Sequence, residues 1–183
     1  RSLVRRPFTA SRVAAMGDFV GEIARALVAA FADAAREEPR DFVQDVALHL
    51  PSQVIRCLFA IDADVWEREV HPLFGATPPG ADAAAATGER IDRLADFFGR
   101  ERERAMSGLL AALQTPGDDG QTLSADEVVA NAVLLAMAAI DTTTGLVANA
   151  LACLLRHPDV LARVRADGAV VPAVVEEPLR HEP

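Results

Sequence analysis

The chain of 183 residues is 51% hydrophobic and 25% charged, the balance of a globular protein and not of a disordered one, with length enough for one sizeable core. Its 18 Lys and Arg against 27 Asp and Glu give a formal charge of −9, so a phosphate backbone is a poor partner and no nucleic acid is expected. Cys57 and Cys153 show no metal-type spacing, which argues against a disulfide framework and for a reduced, cytoplasmic protein.

The chain opens on Arg1 and closes at Pro183, and neither end reads as a natural terminus; the expectation is a piece of a longer protein. No apolar core follows the basic start, so no secretory signal is read. From Ser11 to Glu38 the text is nearly continuous helix, with Phe19, Ile23, Leu27 and Phe31 forming one stripe that ends at Pro39. A second helix follows Pro51 (Val54, Ile55, Leu58, Phe59), and a third spans Asp64 to Val70, before His71 and Pro72.

Residues 75–88 are poor in large apolar groups and carry Pro78, Pro79 and Gly80, so they read as a long mobile loop. Helical spacing resumes from Ile91 to Leu113, with Arg100 to Arg104 as a solvated charged face, and breaks at residues 115–120. Ser124 and Glu127 have the form of a capping box, after which an apolar run continues to Arg156 and stops at Pro158. The resulting helix would be a rod of about 48 Å.

Val128 to Ile140 is apolar on nearly every face, which predicts a helix buried on all sides. A membrane span competes with that reading. Asp141 in mid-segment, with Thr142, Thr143, Thr144 and Asn149 around it, opposes it, since a central acid costs about 2.5–3.5 kcal/mol on insertion scales. No membrane is expected. Strand alternation and internal repeats are absent, so the fold class is mainly α, built around one long buried central helix.

Three consecutive threonines and Gly145 after Asp141 are poor helix formers, and two readings of them stand. Each hydroxyl can bond back to a carbonyl one turn earlier and bend the helix. Alternatively, a buried carboxylate with a raised pKa passes protons and the adjacent hydroxyl relays them.

Ala138-Ala139-Ile140-Asp141-Thr142-Thr143 resembles the distal-helix motif of cytochromes P450, with Ala139 where the family usually has glycine. His157 to Arg165 resembles the helix that follows it, and Val175 to Pro183 resembles the family's E-x-x-R helix, with Pro178 in place of the usual leucine. An interior proline costs about 3 kcal/mol unless the helix is short or kinked there. Arg1 to Val13 resembles the stretch that begins at the haem-propionate arginine.

The resemblance covers the whole chain, as a partial cytochrome P450 domain over 1–183 of the bacterial soluble kind. It implies Asp141 and Thr142 as the catalytic acid and alcohol that guide protons to dioxygen at a haem. It also implies Arg1, Ala138 and Ala139 as cofactor-binding residues, and Glu177 with Arg180 as a buried structural pair. Taken alone, an i,i+3 pair such as Glu177 and Arg180 is more often a surface salt bridge worth about 0–1 kcal/mol.

The family's F-x-x-G-x-x-x-C-x-G loop is missing, so no metal ligand is expected in the chain and the 183 residues by themselves should not hold haem tightly. Cys153 lies 11 residues, about 16.5 Å, beyond Thr142 along the helix, and both cysteines read as small core residues. His49, His71, His157 and His181 read as forming no ligand pair.

By the resemblance, the parent protein is a monooxygenase of the kind met in secondary metabolism. It would take electrons from ferredoxin and ferredoxin reductase and insert one oxygen atom from O2 into a small hydrophobic organic substrate. Arg1, Arg5, Arg6 and Arg12 would then help to dock ferredoxin, unless they are an ordinary solvated face. The alternative is a haem-free relative that activates a partner enzyme such as a glycosyltransferase.

Overall fold

The computed structural model describes residues 8–75, 80–117 and 119–181, without the side chains of residues 12 and 178–181. Arg1, Arg5 and Arg6 lie outside the described residues, as does the side chain of Arg12. Among the described residues there is no strand, and the mainly α expectation holds.

Helices α1 (Ala10–Ala15) and α2 (Gly17–Ala34) divide at a turn on Met16, so the first stretch is two helices instead of one. The expected stripe on α2 is half-buried, and the helix ends at Ala34, short of Pro39. Its last turn carries no basic residue, while Glu37 and Glu38 follow, where the helix dipole disfavours acids. Phe31 closes the corner edge-on against Phe42, centroids 5.7 Å apart.

The second helical segment starts well before Pro51. Asp41 Oδ1 accepts from the N–H groups of Val43 and Gln44, and a π-helix over Val43–Leu48 leads directly into α3, His49–Phe59. These wide turns lie just upstream of Pro51, whose ring would otherwise press on a carbonyl one turn earlier. Val46, Ala47, Leu48, Ile55 and Phe59 are buried.

Helix α4 (Ala63–Glu69), capped by the Asp62 carboxylate, and a 3-10 turn over His71–Leu73 follow. Trp66 of α4 is wholly buried; it stacks on Phe59 with centroids 6.5 Å apart and donates its indole N–H to Ser52 Oγ at 2.9 Å.

The expected loop over 75–88 is overturned in its second half. Asp82 accepts from the N–H groups of Ala84 and Ala85 and starts α5, Ala83–Arg104. An alanine run has no apolar periodicity to announce it, yet alanine has the highest intrinsic helix propensity. The helix expected from Ile91 to Leu113 is likewise broken, because Ala105 is extended and Gly108 opens α6 (Gly108–Gln114) at φ +72.

A Cβ on Gly108 would sit 2.6 Å from the Phe59 carbonyl oxygen and 2.7 Å from the Ala60 Cβ. Gly108→Ala therefore combines a left-handed backbone, costing about 1–2 kcal/mol, with a clash against main chain that cannot swing away. The expected result is a loss of at least about 2 kcal/mol, read as a lower denaturant midpoint with unchanged slope.

Helix α7 spans Ala125–Arg156, the predicted bounds, and its capping box is complete: Ser124 Oγ accepts from Glu127 N–H, and Glu127 Oε2 accepts from Ser124 N–H. It packs against α3, α5, α6 and the π-helix, and toward its end against α8 (Pro158–Ala166) and α9 (Val171–His181). The backbone of α9 stays helical through Pro178.

Burial of α7 on all sides is not observed. Val128, Ala132, Val133, Ala136 and Ile140 form one buried face, whereas Leu134 is 63% exposed and Ala130 and Ala138 are exposed as well. Alanines count as apolar without requiring cover, which is why the composition overstated the burial. The helix is long and apolar enough to cross a membrane by length and composition; here its apolar face is occupied by α3, α5 and the π-helix. Cys57 and Cys153 are half-buried, not core residues.

Candidate functional site

The residues singled out on α7 separate by face. Leu134, Ala138, Asp141 and Thr142 stand at spacings of three and four and are all exposed, so they form one strip along the side of α7 opposite its buried face. Half-buried Gly145 continues the strip, and the space where its Cβ would stand is open. Ala139 turns away and packs on the core cluster instead.

Thr142 Oγ1 donates to the Ala138 carbonyl at 2.6 Å, the back-bond that sequence offered as one of two readings. That bond uses the hydroxyl's proton and leaves its lone pairs as acceptors, so back-bonding and acceptance of a further hydrogen bond are compatible. Thr144 Oγ1 is buried with no hydrogen-bond partner among the described residues.

Asp141 is not the buried, desolvated acid expected. Its side chain is 46% exposed and is held by Arg90 of α5 through two contacts, Nη2 to Oδ2 at 3.1 Å and Nη1 to Oδ1 at 3.2 Å. The fork geometry is the one in which guanidinium matches carboxylate best. Arg90 is in turn fixed from behind, its Cζ 5.3 Å from the centre of the Phe74 ring and its side chain only 20% exposed. Nothing in the sequence marked Arg90, which lies 51 positions before its partner. Only the packing of α5 along α7 joins them.

Further along α7, a groove of about 720 Å³ opens between α7, α8 and α9. Cys153, His157, Arg163 and Glu177 line it among small apolar residues. Glu177 is exposed, and the side chain of Arg180 lies outside the described residues, as does Arg1.

His49 and His71, read from the sequence as forming no ligand pair, are brought together by the fold. His49 and His71 lie with ring centroids 4.0 Å apart, joined by Glu67, because α3 and the turn after α4 pack side by side. Burial first, and the neighbouring His49 second, hold the His71 pKa below the usual histidine value.

Known proteins resemble the chain over its whole length. The family profile of cytochrome P450 matches residues 87–177, which include all of α7. Vitamin D(3) 25-hydroxylase of Pseudonocardia autotrophica is 33% identical over 100% of the chain and 45% of its own length. The cytochrome P450 monooxygenase PikC of Streptomyces venezuelae is 35% identical over 100% of the chain and 44% of its own length.

Among solved structures, the LnmZ cytochrome P450 hydroxylase from the leinamycin biosynthetic pathway of Streptomyces atroolivaceus superposes with a TM-score of 0.86 at 25% identity, over 100% of the chain and 51% of that structure. The chain thus spans about half the length of the relatives it matches.

Proposed function

The chain belongs to the cytochrome P450 family, and from that premise we propose that the protein it forms is a haem-thiolate monooxygenase acting on a small hydrophobic organic substrate. The observation that supports this reading best is the exposed strip of α7, where an acid held by Arg90 stands next to a threonine whose lone pairs are free to accept.

The same strip suits a haem on one side. Ala138 and Gly145 present little bulk beside Thr142, so a flat macrocycle or its diatomic ligand could lie against the helix there. Neither cysteine is offered as the thiolate ligand, since Cys57 Sγ accepts from Arg56 Nη2 at 3.1 Å and Cys153 lines the groove beyond. When bound, haem supplies an iron that activates dioxygen. Arg1, outside the described residues, is proposed to meet a propionate.

In this reading Asp141 exchanges protons with solvent through its exposed edge, and Arg90 keeps its carboxylate aimed along the strip. Thr142 accepts a hydrogen bond on its free lone pair and keeps its orientation through the Ala138 carbonyl. Leu134 and Ala138 provide the apolar wall that excludes water from the neighbouring volume. Glu177 and Arg180 serve the fold and not the chemistry. Ferredoxin and ferredoxin reductase are the proposed electron donors, O2 the co-substrate, and the cytoplasm the location.

Reduction of the complete protein under carbon monoxide tests the reading. A thiolate-type difference spectrum is expected, together with substrate hydroxylation in the presence of ferredoxin and its reductase. A protein that purifies without haem and shows no such spectrum overturns it.

A further inference from the structure

His49, Glu67 and His71 take no part in that chemistry, and three separate elements bring them together: the start of α3, α4, and the 3-10 turn after it. All three are half-buried, and each offers one ligand atom within 4.8 Å of the other two. A tetrahedral ion about 2.0–2.2 Å from N and O donors holds those donors about 3.3–3.6 Å apart, so the cluster needs to contract by on the order of 1 Å. The two imidazoles already face one another, centroids 4.0 Å apart and planes tilted by 44°.

Each of the three is also held from outside, as metal ligands commonly are. His49 Nδ1 lies 2.7 Å from the Gln44 carbonyl oxygen. A carbonyl can only accept, so Nδ1 carries the proton and Nε2 presents its lone pair. His71 Nδ1 is 3.1 Å from Ser52 Oγ, which is itself fixed by the indole N–H of Trp66 at 2.9 Å. Gln53 Nε2 donates to Glu67 Oε1 at 2.5 Å, which orients the carboxylate. The neutral ring, with one nitrogen lone pair free, is the form that ligates.

We propose that His49, Glu67 and His71 bind one divalent transition-metal ion of the zinc class, with water in the fourth position. Two nitrogens and one carboxylate suit zinc and its borderline neighbours; calcium and magnesium need shells of oxygen. The ion would cross-link the junction of the π-helix and α3 to α4. Because the π-helix packs directly on α7, occupancy would stiffen one wall behind the functional strip.

The test uses the tag-free complete protein, stripped with a chelator and dialysed against zinc, with zinc and iron counted in the same sample. One zinc per chain is expected whatever the iron content, so the count stands or falls separately from the haem reading. His49→Gln and His71→Gln should each weaken zinc binding by at least about 100-fold. Gln53→Ala, which removes the donor behind Glu67 together with the acceptor for Arg56 Nε, should weaken it by about 10-fold with helicity by circular dichroism unchanged. Failure to retain zinc, or wild-type affinity in the His49→Gln variant, overturns the proposal. Should His71→Gln fail to fold because of its tie to Ser52, His49→Gln decides alone.

Discussion

Asp141→Asn is expected to lower kcat by about 100- to 10,000-fold while substrate affinity stays near its original value, the range typical of losing a positioned proton-transfer group. Asparagine keeps the shape and can still accept from Arg90, but it cannot gain and release a proton. The carboxylate sits one residue before Thr142 with 46% of its side chain open to solvent, a position from which it can refill between turnovers. Asp141→Glu should recover part of the rate, because the acid survives at the cost of its fork with Arg90. Turnover and a substrate-binding titration, measured on the same preparations, separate the two effects. Unchanged turnover in Asp141→Asn would remove the residue from the machinery.

The largest effect on stability is expected at Trp66. Trp66→Ala empties the space between Phe59 and Phe97, whose rings lie 6.5 and 6.3 Å from the indole, and strips Ser52 of a buried donor. Truncations of this size cost about 3–5 kcal/mol, a large part of the 5–15 kcal/mol, roughly, that holds a domain folded. Trp66→Phe keeps most of the ring but not the N–H and should lose less. Chemical denaturation followed by circular dichroism measures both; equal stability of wild type and Trp66→Ala would mean that the aromatic cluster does not carry the core.

What could be read from the sequence was local. The capping box at Ser124 and Glu127, the stop at Pro158 and the apolar stripe of α2 each depend on neighbours within one or two turns, and each stands where expected. Asp82 is equally local, but Pro78, Pro79 and Gly80 before it and the featureless alanines after it concealed the start of α5.

The candidate site was legible only as far as one helix reaches. Ala138, Asp141 and Thr142 share a face by spacing alone, and so could be grouped in advance. Arg90 could not, since its pairing with Asp141 spans 51 positions and exists only because two helices lie together. His49 and His71 meet for the same reason, in a corner where neither histidine's own neighbourhood carries a ligand pattern. The error about Asp141 had another origin: hydropathy measures what a segment would prefer to cover, not what the remainder of this chain covers. Leu134, 63% exposed, shows the difference.

Trp66 is the only tryptophan in a chain that has no tyrosine. Its ultraviolet emission therefore comes from a single, fully enclosed indole whose N–H ends on Ser52, the same hydroxyl that touches His71. An optical reporter is thus already built into the corner where an ion is proposed to settle, and within these 183 residues the colour and intensity of that light report on that corner alone.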